Sequence, residues 1–263
     1  MKQTVVLALI GLLFLNLQPQ KLEAAVKTQT VEYKDGDVTL EGYLAYDDAL
    51  KGKRPGVLVV HEWTGLGSYV KMRAEKLAQL GYVAFAADIY GKGIRPKNRD
   101  EAATQAGIYR KDRPLMRRRA QAGLSVLAAN SMVDSKKLAA IGYCFGGGTA
   151  LELARSGADL AGVVSFHGNL DTPDPADAKN IKCKILVQHG ASDHSVTPDA
   201  VAAFQKEMND AGVDWQFTAY SGAVHGFTNP ENGADTSKGV AYNERADARS
   251  WAAMKQFFDE IFK

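Results

Sequence analysis

The sequence predicts an α/β layer fold: a mostly parallel sheet with an antiparallel pair at its N-terminal edge and helices on both faces. Three observations predict it. Short apolar or β-rich runs recur along the chain, helix-length segments separate them, and the two alternate to the C-terminus. A strand buried on both faces has no polar side to display, so its run is continuous rather than alternating.

Residues 30–33 and 38–46 alternate in the strand manner around Lys34, Asp35, Gly36 and Asp37, and read as the antiparallel edge pair. The runs 56–60, 82–86, 138–141, 161–166, 184–188 and 214–220 supply the remaining strands. Helices are expected over 69–80, 99–110, 115–130, 145–156, 198–211 and 242–262, and surface loops over 91–96 and 171–175.

A chain of 263 residues with 46% hydrophobic and 24% charged side chains can bury one substantial core. No internal repeat, low-complexity tract or linker divides it, so residues 25–263 are expected as one domain, acting as a monomer. Lys and Arg number 32 against 30 Asp and Glu, a balance that gives no basic field for nucleic acid.

The first 24 residues stand apart. Lys2 precedes an apolar run from 5 to 17, and Ala24 offers a small residue for cleavage, which is the layout of a secretory signal peptide. That run of 13 residues falls short of the roughly 20 needed to span a bilayer. Export to a periplasmic or extracellular space is expected, with no membrane attachment after cleavage. There, Cys144 and Cys183 would be open to pairing, but one follows the end of a strand and the other opens one. In a parallel sheet they stand at opposite edges, beyond the reach of a disulfide, and Cys144 is expected as a free thiol.

The strongest chemical signal is Gly142-Tyr143-Cys144-Phe145-Gly146, with a strand running in and a helix leaving. This is the G-x-Nu-x-G nucleophile elbow with Cys in place of Ser. Its sharp turn tolerates only tiny neighbours, and the helix N-terminus favours a thiolate. Alone, the stretch also suits a buried structural cysteine. A phosphate loop is disfavoured, because neither G-x-x-x-x-G-K-[ST] nor an early G-x-G-x-x-G is present.

An acid and a base follow in the chain order this chemistry uses: Asp193 in the loop after the strand at 184–188, and His225 after the last strand. His225 would take the nucleophile's proton and Asp193 would fix the imidazole tautomer. All five histidines, His61, His167, His189, His194 and His225, fall at or past the C-terminal ends of predicted strands, where open α/β sheets bind ligands. His189 and His194 read as hydrogen-bonding supports of the acid loop, and His167 equally as pocket lining or structural support. No H-x-x-x-H or C-x-x-C spacing occurs, so neither metal nor cofactor is expected.

With these residues placed, the chain resembles the dienelactone hydrolase family over nearly all of residues 25–263. The motifs that carry the likeness are His61-Glu62-Trp63-Thr64-Gly65-Leu66, Asp88-Ile89-Tyr90-Gly91, the elbow around Cys144, and Asp193 with His225-Gly226-Phe227. The resemblance implies an α/β-hydrolase fold and cleavage of a small-molecule ester or lactone by Cys144, His225 and Asp193, with Glu62 helping to activate the thiol. A buried carboxylate near a thiol would accept its proton on physical grounds too. The oxyanion hole would be the backbone N–H groups of Phe145 and Trp63. Tyr90, Lys92 and His167 are the expected substrate-binding residues. Two departures from the family stand out: Lys92 replaces an arginine that grips the substrate carboxylate, without its planar fork, and Gly226 replaces a serine. A broader esterase or thioesterase, or a non-catalytic binding protein on the same fold, remains compatible with these residues.

Overall fold

Gly36 and Asp37 separate β1 (Val26–Asp35) from β2 (Val38–Asp47), and these strands pair antiparallel along their whole length. Gly36 takes φ +59°, a conformation that a side chain would resist. A computed structural model describes residues 25–263 of the chain, and the signal peptide expected over 1–24 lies outside them. The chain continues through β3 (Arg54–Val60), α1 (Ser68–Gln79), β4 (Val83–Ala87), α2 (Arg99–Lys111) and α3 (Arg113–Ala129). It then forms β5 (Val133–Tyr143), α4 (Phe145–Arg155), β6 (Gly162–Phe166), β7 (Lys184–Gly190), α5 (Pro198–Ala211), β8 (Trp215–Tyr220) and α6 (Glu244–Ile261).

The strands form one eight-stranded sheet in the order β1-β2-β4-β3-β5-β6-β7-β8. β2 meets β4 antiparallel, and every pairing from β4 to β8 is parallel. Successive residues feed opposite faces, as the two-residue period of a strand requires. Leu58, Val60, Phe85, Ile185 and Val187 pack on one side with α2, α3, α4 and α5. Val57, Val59, Ala84, Ile141, Val164 and Leu186 pack on the other with α1 and α6. The continuous apolar runs are thus the mark of a sheet covered on both faces, the α/β-hydrolase fold. No helix among the described residues is long and apolar enough to cross a membrane.

Several boundaries differ from the sequence reading, β1 beginning at Val26 rather than 30 and β3 at Arg54 rather than 56, and three others have a visible local cause. β5 begins at Val133 rather than 138, because Val133 and Asp134 pair with Arg54 and Pro55 before a register shift, and the intervening polar residues conceal the strand. α3 starts at Arg113, where the Asp112 carboxylate accepts from the Leu115 N–H. α6 starts at Glu244 because Asn243 caps it through the Ala246 N–H. Each such cap is worth about 1 kcal/mol.

The helix behind the elbow is anchored at its far end. Arg155 is buried and grips Glu207 of α5 through two bonds of 2.7 and 2.8 Å, while Glu152 accepts from Arg155 and Arg117. Removing one partner from such a buried set typically costs about 3–5 kcal/mol, since the other charge is stranded.

Candidate active site

β5 ends at Tyr143, and the chain turns into α4 within one residue, Cys144, whose φ of +54° is forced by the turn. The turn closes so tightly that a Cβ on Gly142 would lie 1.9 Å from the Gly146 carbonyl oxygen, and one on Gly146 would lie 2.2 Å from that of Val60. Only glycine fits at either place. Cys144 occupies the N-cap position of α4 and lines a cavity of about 680 Å³ with Glu62, Trp63, Arg99, Arg110 and His225.

The acid and base loops are stitched together. The Ser192 N–H donates to the Ala223 carbonyl at 2.9 Å, and Gly190 lets the loops meet, since a Cβ there would lie 2.7 Å from that same oxygen. The Asp193 carboxylate accepts from the Ser195 N–H at 2.8 Å and from His225 Nδ1 at 2.8 Å. His225 Nε2 then lies 3.0 Å from Cys144 Sγ. Burial opposes charge on both partners. The hydrogen bond and charge of His225 nonetheless hold Asp193 below the ordinary carboxylate range, and the Cys144 sulfur and Asp193 raise His225 well above that of a free histidine. The arrangement favours a protonated imidazole beside an ionised Asp193.

Glu62 is half-buried on the cavity wall, and burial raises it to about 6 against the hydrogen bond it accepts from Asn229 Nδ2 at 2.8 Å. It is a carboxylate poised to exchange a proton near neutrality. Its neighbour His61 is fully buried and points the other way: Nε2 accepts from the Ile89 N–H at 3.2 Å, so Nδ1 donates to the Glu62 carbonyl at 2.6 Å. Burial lowers His61 to about 4, and it serves as a neutral brace for this loop. The backbone N–H groups of Trp63 and Phe145 have no acceptor among the described residues. Free N–H groups at the start of a helix and in the facing loop suit a developing oxyanion.

The expected substrate-binding residues are not where the sequence put them. Lys92 lies outside the cavity in an exposed ion pair with Glu32, because its own N–H bonds the Thr39 carbonyl and ties this turn to the edge hairpin. Tyr90 is buried behind the wall, where its hydroxyl donates to the Trp63 carbonyl at 2.8 Å and its ring stacks on Tyr109. His167 is buried beneath the site rather than on the cavity wall. His194 is exposed and His189 packs its ring against Phe217, and the Asp193 carboxylate takes its second hydrogen bond from Ser195 instead. Gly226 has a physical reason: its φ is +70°, which strains any side chain, and a Cβ would lie 2.5 Å from Asn232 Nδ2 and push that amide off the Gly226 carbonyl it bonds at 2.8 Å.

What the sequence reading missed is a pair of arginines on α2. Arg99 stands 5.9 Å over the Trp63 ring, and Arg110 stands 5.9 Å over the Phe145 ring while donating to Asn169 Oδ1. Neither guanidinium has a carboxylate partner among the described residues, and both line the cavity. The signal was present: residues eleven apart fall on one helical face, three turns apart.

Fold and site together define an α/β-hydrolase. The sequence model of the dienelactone hydrolase family matches residues 40–262, and the chain belongs to that family. It is similar to a protein of Aquifex aeolicus provisionally named carboxymethylenebutenolidase, 31% identical over 89% of this chain and 99% of that one. Two solved structures are nearer. One, named m3DLH, is 44% identical with a TM-score of 0.88 over 91% of this chain and all of its own. The other, a dienelactone hydrolase-like promiscuous phosphotriesterase, P91, from metagenomic libraries, is 42% identical with a TM-score of 0.86 over 90% of this chain and 98% of its own.

Proposed function

We propose that this protein hydrolyses an ester or lactone carrying an anionic group, by attack of Cys144 on the carbonyl. The observation that carries the reading is the chain from Asp193 through His225 to the sulfur, with links of 2.8 and 3.0 Å, opening on the cavity. Attack forms a C–S bond while charge gathers on the carbonyl oxygen, between the N–H groups of Trp63 and Phe145. Each such donor is typically worth about 3–4 kcal/mol. Collapse breaks the ester C–O bond, and the His225 imidazolium gives its proton to the departing oxygen. Water then adds to the thioester as His225 takes one of its protons, and the C–S bond breaks to return the sulfur as thiolate. When Cys144 is met in the thiol form, Glu62 is the second group able to accept its proton.

Arg99 and Arg110 support the anionic substrate: two guanidiniums without a carboxylate partner among the described residues, both lining the cavity, would hold a carboxylate or phosphate. The apolar run at 5–17, read as the core of a signal peptide over 1–24, supports export, which fractionation of cells expressing the full chain tests.

The test is turnover of p-nitrophenyl acetate and a lactone series by wild type and Cys144→Ala, with mass spectrometry of the quenched reaction. Loss on the order of a thousandfold or more, and an acyl group on the Cys144 peptide of the wild type, are expected. Equal turnover by the two proteins would overturn the reading. For the charge, Arg99→Ala/Arg110→Ala should raise KM about tenfold or more for an anionic ester and leave a neutral one within about twofold. Lys92→Ala should change neither.

A further inference from the structure

Among the described residues only two non-glycine positions have positive φ, Cys144 at +54° and His167 at +39°, and they are hydrogen-bonded to each other. Such a conformation is held only where the surroundings over-determine it. At Cys144 the elbow supplies the reason. At His167 the reason is a set of bonds that converge on the ring. Its own N–H donates to the Gln188 carbonyl at 2.8 Å, and its Nδ1 accepts from the Cys144 N–H at 3.1 Å, a donor shared with the Phe166 carbonyl at 3.0 Å. With Nδ1 an acceptor, Nε2 carries the proton and donates to Thr228 Oγ1 at 2.7 Å.

Thr228 lies three residues beyond His225 on the same loop. It is fixed in turn: its hydroxyl bonds Tyr69 at 2.6 Å, and its carbonyl accepts from the buried Arg73, which is neutralised by Asp247 at 2.5 Å. The His167 ring also stands edge-on to His225, with centroids 5.3 Å apart, and to Phe227 at 5.1 Å. One side chain therefore touches both halves of the sulfur–imidazole pair from below.

We infer that His167 is a positioning residue, a strut between the Cys144 backbone and the His225 loop that sets the distance from Sγ to Nε2. The inference rests on Cys144 acting as the nucleophile proposed above. A strut of this kind must stay uncharged, because a proton on Nδ1 would displace the Cys144 N–H and set a second cation against the His225 imidazolium. Burial, with the charges of His225 and Arg73 adding to it, keeps His167 neutral. Misplacing a reacting group by about 1 Å can cost on the order of a hundredfold in rate, so the strut acts on kcat and leaves binding alone.

Three full-chain variants test this: Thr228→Val, which keeps shape and removes the hydroxyl, Thr228→Ser, which restores it, and His167→Phe. Two readings are taken on protein whose near-ultraviolet circular dichroism is native: kcat and KM for p-nitrophenyl acetate, and the rate at which iodoacetamide labels Cys144. Thr228→Val and His167→Phe should lower kcat by about tenfold or more with KM within about twofold, and slow labelling in step. Thr228→Ser should recover most of both. Where His167→Phe does not fold, the Thr228 pair decides alone. Wild-type kcat and labelling in Thr228→Val, or a Thr228→Ser protein as impaired as Thr228→Val, would overturn the strut. Because labelling needs no ester cleavage, a failed strut is distinguished from a failed hydrolase, which the Cys144→Ala turnover reports.

Discussion

The two cysteines of this chain are equally hidden, Cys144 at 8% and Cys183 at 7% exposure, yet they stand at opposite rims of one sheet. Cys183 sits just before β7 at the N-terminal rim, where burial pushes its thiol up to about 12 against a hydrogen bond from its own backbone, and no charged side chain among the described residues acts on it. Cys144 sits past the end of β5, with an imidazole 3.0 Å away and a cavity in front. Burial alone makes an inert thiol. The C-terminal rim adds an imidazole partner, a sharp turn at a helix start and an open cavity, the surroundings the proposed nucleophile needs.

Breaking that partnership gives the largest expected effect. Asp193→Asn keeps the shape but misdirects the imidazole tautomer, and kcat for p-nitrophenyl acetate should fall about a hundredfold to ten-thousandfold. A decrease under about threefold would mean that the neighbours of Cys144 do not distinguish it from Cys183. Next comes the backbone. Gly142→Ala sets a methyl group 1.9 Å from a carbonyl oxygen, and urea unfolding should show a loss of about 3 kcal/mol or more.

Glu62→Gln should act in the opposite direction on stability. Burial raises Glu62 from 4.5 to about 6, so between those values the folded protein holds the proton that the unfolded chain has released. Stability therefore falls as pH rises through that window, and the deficit persists at neutral pH. Removing the charge should stabilise the protein by about 1–2 kcal/mol at pH 7.5 and by almost nothing at pH 4, read from paired denaturation curves. Smallest is Cys183→Ala, which should cost about 1 kcal/mol of stability and leave kcat within about twofold.

Much of this rim was legible in the sequence because its residues are punctuation. Gly142, Cys144 and Gly146 mark a turn no other element uses, and Asp193 and His225 follow strands whose apolar runs are unmistakable. Side-chain direction was not legible. Lys92 was expected to bind substrate, but Gly91 and Gly93, with φ of +131° and +80°, flank it and its ammonium pairs with Glu32 outside the cavity. Thr228 and Asn229 belong to none of the motifs read from the sequence, and only the folding of that loop against the end of β6 and the Glu62 loop gives them His167 and Glu62 as partners.

The contrast between the two sulfurs is tested most directly by labelling native protein with iodoacetamide near neutral pH and counting modified peptides over time, in wild type and His225→Ala. Cys144 should be modified at least about a hundredfold faster than Cys183, and most of that advantage should vanish without the imidazole. Equal labelling of both cysteines, or a Cys144 rate indifferent to His225→Ala, would contradict the view that the C-terminal rim makes this thiol a nucleophile.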